Sequence, residues 1–171
     1  MQLIEPCMEY EADYLNYLAE LGDEPRIPFP LTFPCHPFSS LLNRLTAESQ
    51  GVGLPEGFVA NSTYWLVHRD RILGVSNLRH SLTAALMQCG GHIGYGVRPT
   101  EQGRGVGKEI LRLTLLKARS RGIERVLLTC DKSNAASRGV ILANGGVLEN
   151  EVAAPHAGRT TLRYWIDLRV G

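Results

Sequence analysis

Residues 94–108 constrain the fold of this chain more than any other stretch. A β-branched and aromatic run meets a glycine cluster and then the best amphipathic helix of the sequence. Glycines at 103, 105 and 107 leave the backbone N–H groups at the helix start unobstructed, and the helix dipole attracts anions there. Arg104 and Lys108 add positive charge at the same end. The stretch therefore predicts a strand, a tight turn and a helix N-terminus that bind a phosphate or pyrophosphate.

The spacing of these glycines excludes two common phosphate-binding loops. A dinucleotide-binding fingerprint needs G-x-G-x-x-G, and a P-loop needs G-x-x-x-x-G-K-[ST]; neither is present here. The stretch instead reads Q-x-x-G-x-G from Gln102 to Gly107, preceded by V-x-P and followed by a helix. By itself, this pattern also allows a flexible turn without a ligand.

Hydrophobic periodicity and turn residues predict the order of the elements. The order is β, two helices, three strands, helix, strand, helix and two strands, with a stiff loop of five prolines at 25–37 between the first two helices. A connection without regular structure is expected at 81–91, and Ser133 is the expected N-cap of the last helix. In the central strand 92–97, His92, Gly94 and Gly96 share one face, which is expected to leave room against the backbone.

The Q-x-x-G-x-G motif resembles the pyrophosphate-binding signature of the GNAT superfamily of acyl-CoA-dependent N-acetyltransferases, [RQ]-x-x-G-x-[GA] between a strand and a helix. The element order resembles the GNAT order along the whole chain. The resemblance implies one domain over residues 1–171 with an α/β (α+β) fold. Its central sheet is mixed and mostly antiparallel, with a parallel pair of strands at the cofactor cleft and flanking helices. The strings at 79–80, 90–95, 144–146 and 163–166 resemble a bacterial branch of predicted acetyltransferases without an assigned substrate.

The resemblance also implies acetyl-CoA as cosubstrate, with no metal. It assigns hydrogen bonds with the pantetheine arm and thioester to the backbone of Tyr95 and Val97, and further contacts with the arm to Asn134 and Ser137. Helix capping is the alternative role for Asn134. The pyrophosphate is expected on the amides of Gln102, Gly103, Arg104, Gly105, Val106, Gly107 and Lys108.

Acetyl transfer to an amine also needs a group that takes the amine's proton. His92 stands where many relatives carry a catalytic Glu, and a neutral imidazole can accept a proton near neutral pH. We therefore predict His92 as the general base, with a structural hydrogen bond as its alternative role. His80 and His156 are weaker candidates, and His36 in the proline-rich loop could equally line the acceptor pocket. Ile141 stands where many members carry a Tyr that protonates the departing thiolate, so the general acid is unassigned.

The predicted function is transfer of an acetyl group from acetyl-CoA to a primary amine of a small molecule or peptide, directly in a ternary complex. Ile141 is the one feature that favours a non-catalytic acyl-CoA-binding module instead. A nucleotide-phosphate-binding domain of another fold is a second alternative. The acceptor stays unnamed, because acceptor pockets come from variable N-terminal helices and loops, and a homodimer is left open.

Composition limits the expected partners and setting. The net charge of +1 gives no general attraction to nucleic acid or to an anionic membrane, so we expect neither as a partner. The N-terminus lacks a basic region followed by an apolar run, and no stretch approaches about 18 uninterrupted apolar residues, which predicts a cytoplasmic protein. The four cysteines are far apart without a C-x-x-C pair, which favours reduced thiols over a zinc site.

Overall fold

The structure is a computed structural model that describes residues 1–153 and 158–169. Its strands are β1 (Gln2–Ile4), β2 (Asn61–His68), β3 (Arg71–Arg79), β4 (Ile93–Val97), β5 (Arg125–Asp131), β6 (Val147–Ala153) and β7 (Thr160–Asp167). Its helices are α1 (Glu11–Leu21), α2 (Phe38–Ser49), α3 (Ala84–Gln88), α4 (Val106–Ser120) and α5 (Ala135–Ala143), with 3-10 turns at Met8–Tyr10, Phe29–Thr32 and Pro99–Glu101. The order follows the predicted one except for α3. This short helix forms because the hydroxyl of Thr83 caps it by accepting from the N–H of Leu86.

The strands form two antiparallel sheets, in the orders β1-β2-β3-β4 and β5-β7-β6. The sheets meet at His92, whose N–H donates to the carbonyl of Leu127 (2.7 Å) and whose Nδ1 accepts from the N–H of Leu127 (2.9 Å). Both β4 and the rest of β5 run away from this contact, and no ladder joins them within residues 1–153 and 158–169. The expected mixed sheet with a parallel pair is therefore not formed among these residues: each of the two sheets is antiparallel, and a gap separates β4 from β5 beyond the contact at His92.

Apolar packing fixes the helices on opposite faces of the first sheet. On one face, α1 and α2 pack around Trp65, which is fully buried and stacks on Tyr14 with ring centroids 5.1 Å apart. On the other face, Leu111 of α4 and Ile141 of α5 share a buried cluster with Leu128 of β5, and that cluster also contains residues of β3 and β4. The helix α4 thus spans both sheets, and its N-terminus lies near the end of β4 where the gap opens.

The glycine face of β4 leaves room for another segment to lie against the backbone, as expected, and the proline-rich loop occupies that room. A Cβ atom on Gly96 would overlap the carbonyl oxygen of Ile27. A Cβ atom on Gly94 would lie 3.4 Å from Pro28, which is an ordinary contact. The glycines therefore allow the proline-rich loop to lie against the strand. Only Gly94 has enough space around it for a Cβ atom.

Arg98, which directly follows β4, is 2% exposed and paired with two carboxylates. Its Nη1 donates to both oxygens of Asp13 at 2.9 Å, and its Nε and Nη2 donate to Oε1 of Glu20 at 2.8 and 2.7 Å. Nη1 also donates to the carbonyl of Ile72 (3.1 Å). This guanidinium ties α1 and β3 to the point where the chain enters the glycine turn.

We expect Arg98→Met to lower the free energy of unfolding by about 3 kcal/mol, because it removes the buried cation that binds both Asp13 and Glu20. Urea denaturation measures the loss. The matched control is Arg71→Met, since Arg71 also pairs with Glu20 (3.2 Å) but is 41% exposed, and its loss is expected to stay below about 1 kcal/mol. Equal losses in the two variants would contradict the role given to Arg98.

Candidate active site

Among the residues that the structure describes, the edge of β4 that faces away from β3 has no partner strand. The N–H of Arg98 donates to the carbonyl of Leu73 (2.9 Å), and in an antiparallel ladder the bonded residues alternate along the strand. Even-numbered residues of this segment therefore bond β3, and the peptide groups of Tyr95 and Val97 point into the gap. The one side-chain contact there, among the described residues, is a long one from Nε2 of Gln102 to the carbonyl of Val97 (3.5 Å). This edge can pair with an extended ligand as a further strand would.

The three glycines of the turn are required for two different reasons. Gly103 (φ 72°) and Gly105 (φ 81°) have left-handed backbone conformations, and a Cβ on either would meet nothing within 4 Å. Gly107 has a helical position, where a Cβ would lie 3.1 Å from Val140 of α5 and 3.6 Å from Val97. Conformation therefore requires the first two glycines, whereas the third lets α4 approach α5 and β4 closely.

The turn presents backbone donors at the N-terminus of α4. The N–H groups of Lys108 and Glu109 donate to the carbonyl of Gly105 (3.1 and 3.2 Å). Those of residues 103–107 donate to no acceptor in the part of the chain that the structure describes. The side chains of Arg104 and Lys108 are exposed at the same end. Converging free N–H groups with added positive charge fit a phosphate or pyrophosphate.

The first turn of α5 reaches across the gap to β4. Asn134 caps this helix, since its Oδ1 accepts from the N–H of Ser137 (2.9 Å). The expectation that Ser133 is the cap is wrong, because the Ser133 hydroxyl donates to Asp131 instead (2.5 Å). The hydroxyl of Ser137 bonds that of Tyr95 (3.1 Å), and burial raises the pKa of Tyr95 to about 12. The sequence reasoning used only the backbone of Tyr95, and its side chain joins the strand to the helix.

A family model for the acetyltransferase (GNAT) domain matches residues 42–147, a range that contains the open edge, the glycine turn and α5. The chain belongs to the GNAT acetyltransferase family. It is an acetyl-CoA-dependent acetyltransferase, and the predicted fold is confirmed. The alternative of a nucleotide-phosphate-binding domain of another fold is therefore wrong. No curated protein matches the sequence.

Solved structures of acetyltransferases share this GNAT fold at low sequence identity. The ribosomal-protein-S5-alanine acetyltransferase from Vibrio fischeri is 16% identical, with a TM-score of 0.72 over 99% of this chain and 93% of that chain. The microcin C7 self-immunity acetyltransferase MccE, in complex with acetyl-CoA and AMP, is 16% identical (TM-score 0.69; 96% and 91% covered). A spermidine N-acetyltransferase SpeG mutant from Vibrio cholerae is 11% identical (TM-score 0.67; 98% and 95% covered).

His92 has a structural role in this GNAT domain that the sequence did not reveal. The residue is 8% exposed, and Nδ1 accepts the N–H of Leu127, so the neutral ring carries its proton on Nε2. Burial lowers the pKa of His92, and the charge of Arg79 acts in the same direction. The lone pair that a base would use is thus engaged in joining the sheets, and the catalytic role stays a prediction.

The other sequence candidates lie in different surroundings. Nε2 of His80 is 2.9 Å from the hydroxyl of Ser62, and His36 is exposed in the proline-rich loop. His156 lies outside the described residues. Ile141 is fully buried, and Gly146 packs directly against its side chain, so the side chain at this position lies in the core.

Two findings concern other classes of site. No group of three or more His, Cys, Asp or Glu within 1–153 and 158–169 is arranged to hold a metal ion. In the same residues, none of the helices has the length and apolar character needed to span a membrane.

We expect Gly105→Asp to weaken CoA binding about tenfold or more relative to Gly105→Asn. Asp and Asn have similar size, and both tolerate the left-handed conformation at this position, so the pair differs mainly by one negative charge in the anion cradle. Isothermal calorimetry with CoA measures both affinities. Equal affinities would show that the pyrophosphate does not bind at this turn.

If His92 is the general base, His92→Asn should lower kcat by about 10²- to 10⁴-fold. The Asn side chain can still accept the N–H of Leu127, so the contact between the sheets is kept. Because the pKa of His92 lies below 6.5, the parent should lose activity only as the pH falls through that lowered value, and the variant should lack this acidic limb. If the folded variant keeps more than about a third of the parental kcat, His92 is not the general base.

Proposed function

We propose that this acetyltransferase moves the acetyl group directly to a primary amine of a small molecule or peptide in a ternary complex. One observation carries the proposal: the free peptide edge of β4 lies beside a cradle of free N–H groups at residues 103–107, among the residues that the structure describes. An extended pantetheine arm fits the strand edge, and the pyrophosphate attached to it fits the N–H groups. The two neighbouring features thus match two adjoining parts of acetyl-CoA.

The roles of the binding residues follow from that match. The backbone of Tyr95 and Val97 would hold the pantetheine arm along the strand, as an added strand is held. The amides from Gln102 to Lys108 would hold the pyrophosphate. At the start of α5, Oδ1 of Asn134 is used for capping, which leaves its Nδ2 to contact the arm together with Ser137. Acetyl-CoA supplies an activated acyl group as a thioester, and these residues orient it.

The acceptor side is formed by the elements that cover the other edge of the site. The loop over Gly96 belongs to the segment between α1 and α2, and its Phe29 is half exposed beside Phe58 (ring centroids 5.6 Å apart). We propose that the amine enters along this loop, opposite the glycine turn. Turnover then requires a proton acceptor, for which His92 or a water molecule are the candidates.

The proposal keeps the remaining expectations from the sequence. They are a single domain over 1–171, a bacterial and cytoplasmic setting, and a homodimer as an assembly to be tested. Two of the similar proteins are named for acetylating alanine of ribosomal protein S5 and spermidine. Both a peptide N-terminus and a polyamine therefore belong in the substrate screen.

Release of CoA from acetyl-CoA, followed with a thiol reagent, tests the proposal. The panel contains peptide amides beginning with alanine or serine, spermidine, and amino-group antibiotics, with each N-acetylated amine as its own control. We expect release with at least one free amine, an acetylated product by mass spectrometry, and intersecting initial-rate lines, as a ternary complex requires. CoA binding without release for every amine would favour the non-catalytic module.

A further inference from the structure

Arg79, the last residue of β3, is partly buried and forms no ion pair with a carboxylate within residues 1–153 and 158–169. Its Nη1 donates to the carbonyl oxygens of Gly90 (3.1 Å) and Gly91 (2.9 Å). Its Nε and Nη2 donate to no group in the same part of the chain, and neither nitrogen is buried without a partner. Both N–H groups therefore reach solvent and can bind a ligand.

Nε and Nη2 form the edge of the guanidinium that binds carboxylates in other arginines of this chain. In Arg98 these two atoms donate to Oε1 of Glu20 at 2.8 and 2.7 Å. In Arg112 they donate to the two carboxylate oxygens of Glu109, both at 2.8 Å. The arrangement recurs because two parallel N–H groups match the geometry of a carboxylate. In Arg79, Nη1 alone holds both carbonyls, so this edge keeps its full hydrogen-bonding capacity.

The charge of Arg79 also favours an anionic ligand. A guanidinium stays protonated in proteins, and its burial carries a desolvation cost that a nearby anion offsets. Burial accordingly lowers the pKa of Arg79. Arg98 and Arg163, which are also largely buried, each pair with a carboxylate. Arg79 is instead stabilised by two carbonyl dipoles, so a carboxylate beside it would gain a charge-assisted hydrogen bond.

Arg79 lies on the face of the first sheet that we assign to the acceptor. Asn77 and Val75 of β3 stand opposite Gly94 and Gly96 of β4, so these four residues share one face. Because side chains alternate along a strand, Arg79 is on the same face, two residues beyond Asn77. This is the face on which the proline-rich loop lies.

The carbonyls that Arg79 binds place its guanidinium at the closed end of the gap. Gly90 donates its N–H to the hydroxyl of Thr129 on β5 (2.8 Å), and Gly91 directly precedes His92. The thioester is expected near Tyr95, about 10 Å along the strand from His92. A hydrogen bond takes up about 3 Å of this distance. The remaining length is about that of an extended dipeptide, so one small acceptor can span both positions.

We propose that Nε–H and Nη2–H of Arg79 bind a carboxylate of the acceptor, which is then a primary amine with a carboxylate about one dipeptide length away. Arg79 is a contact residue that determines acceptor specificity. The inference rests on the proposed function, since it names the substrate class of the same site. A polyamine would gain nothing from this position and would bring a second cation towards the guanidinium.

Matched acceptors that differ only in the carboxylate test the proposal. The pairs are glycylglycine with glycylglycinamide and alanylglycine with alanylglycinamide, and the readout is the ratio of kcat/KM for acid and amide. We expect the parent to favour each acid about tenfold or more, since a charged hydrogen bond is gained. Arg79→Gln should make acid and amide equal. A general loss of structure would lower both values alike and would leave the ratio unchanged.

Two further variants separate the guanidinium from charge in general. Arg125→Gln removes a cation of the same neighbourhood, since Arg125 lies over the ring of Trp165 (4.7 Å) and that ring faces His92 (centroids 6.5 Å apart). Its ratio should equal that of the parent. Arg79→Lys keeps the charge but offers no planar pair of N–H groups, so its ratio should lie between those of the parent and Arg79→Gln.

The Nε–H resonance of Arg79, assigned by its loss in Arg79→Lys, gives a readout that needs no turnover. Titration of N-acetylglycylglycine into the CoA complex should shift this resonance, and N-acetylglycylglycinamide should not. Equal kcat/KM for acid and amide in the parent, an unchanged ratio in Arg79→Gln, or no shift with the acid overturns this inference while the proposed function stands. A parent that acetylates none of the amines offered overturns the proposed function, and the inference falls with it.

Discussion

Two hydrogen bonds between His92 and Leu127 hold the sheets together at the point where β4 and β5 begin to diverge. A continuous ladder would satisfy the peptide groups of both strands and would leave no edge for a ligand. Because no ladder continues past this contact within the described residues, the peptide groups of Tyr95 and Val97 have no partner strand on this edge. The buried imidazole makes this possible, since its ring nitrogen accepts a backbone N–H that would otherwise lie unpaired at the closed end of the gap.

The open end of the gap depends on a different set of interactions. Arg98 fixes the exit of β4 through Asp13 and Glu20, and the left-handed glycines then turn the chain so that α4 begins beside the strand. Gly107 allows this helix to approach α5 closely. Together, these three features keep the N–H groups of residues 103–107 directed outwards. None of them would be sufficient alone, because an anion site needs several donors held in place at once.

The covered face of the first sheet combines an apolar core with a polar chain. Around Trp65 the packing is aromatic and aliphatic, and nearer β4 it changes to the amides and the carboxylate of Asn61, Asn77 and Glu48. Burial of such groups carries a desolvation cost, which their mutual hydrogen bonds offset. The polar cluster thus joins α2 to β2 and β3 within the covered face, whereas backbone groups of β4 face the proposed cofactor position.

The sequence by itself determined the order of the elements, the glycine turn and its charge, because periodicity, glycine conformation and helix dipoles are local properties. The resemblance carried by Gln102 to Gly107 then supplied the family. Only the tertiary structure decided what covers Gly96, which residue caps α5, and whether the lone pair of His92 is free. It also decided the orientation of Asn77, because an amide takes its direction from its partners. Those partners, Asn61 and Thr63, lie on β2, and no local pattern can specify contacts that exist only after the chain has folded.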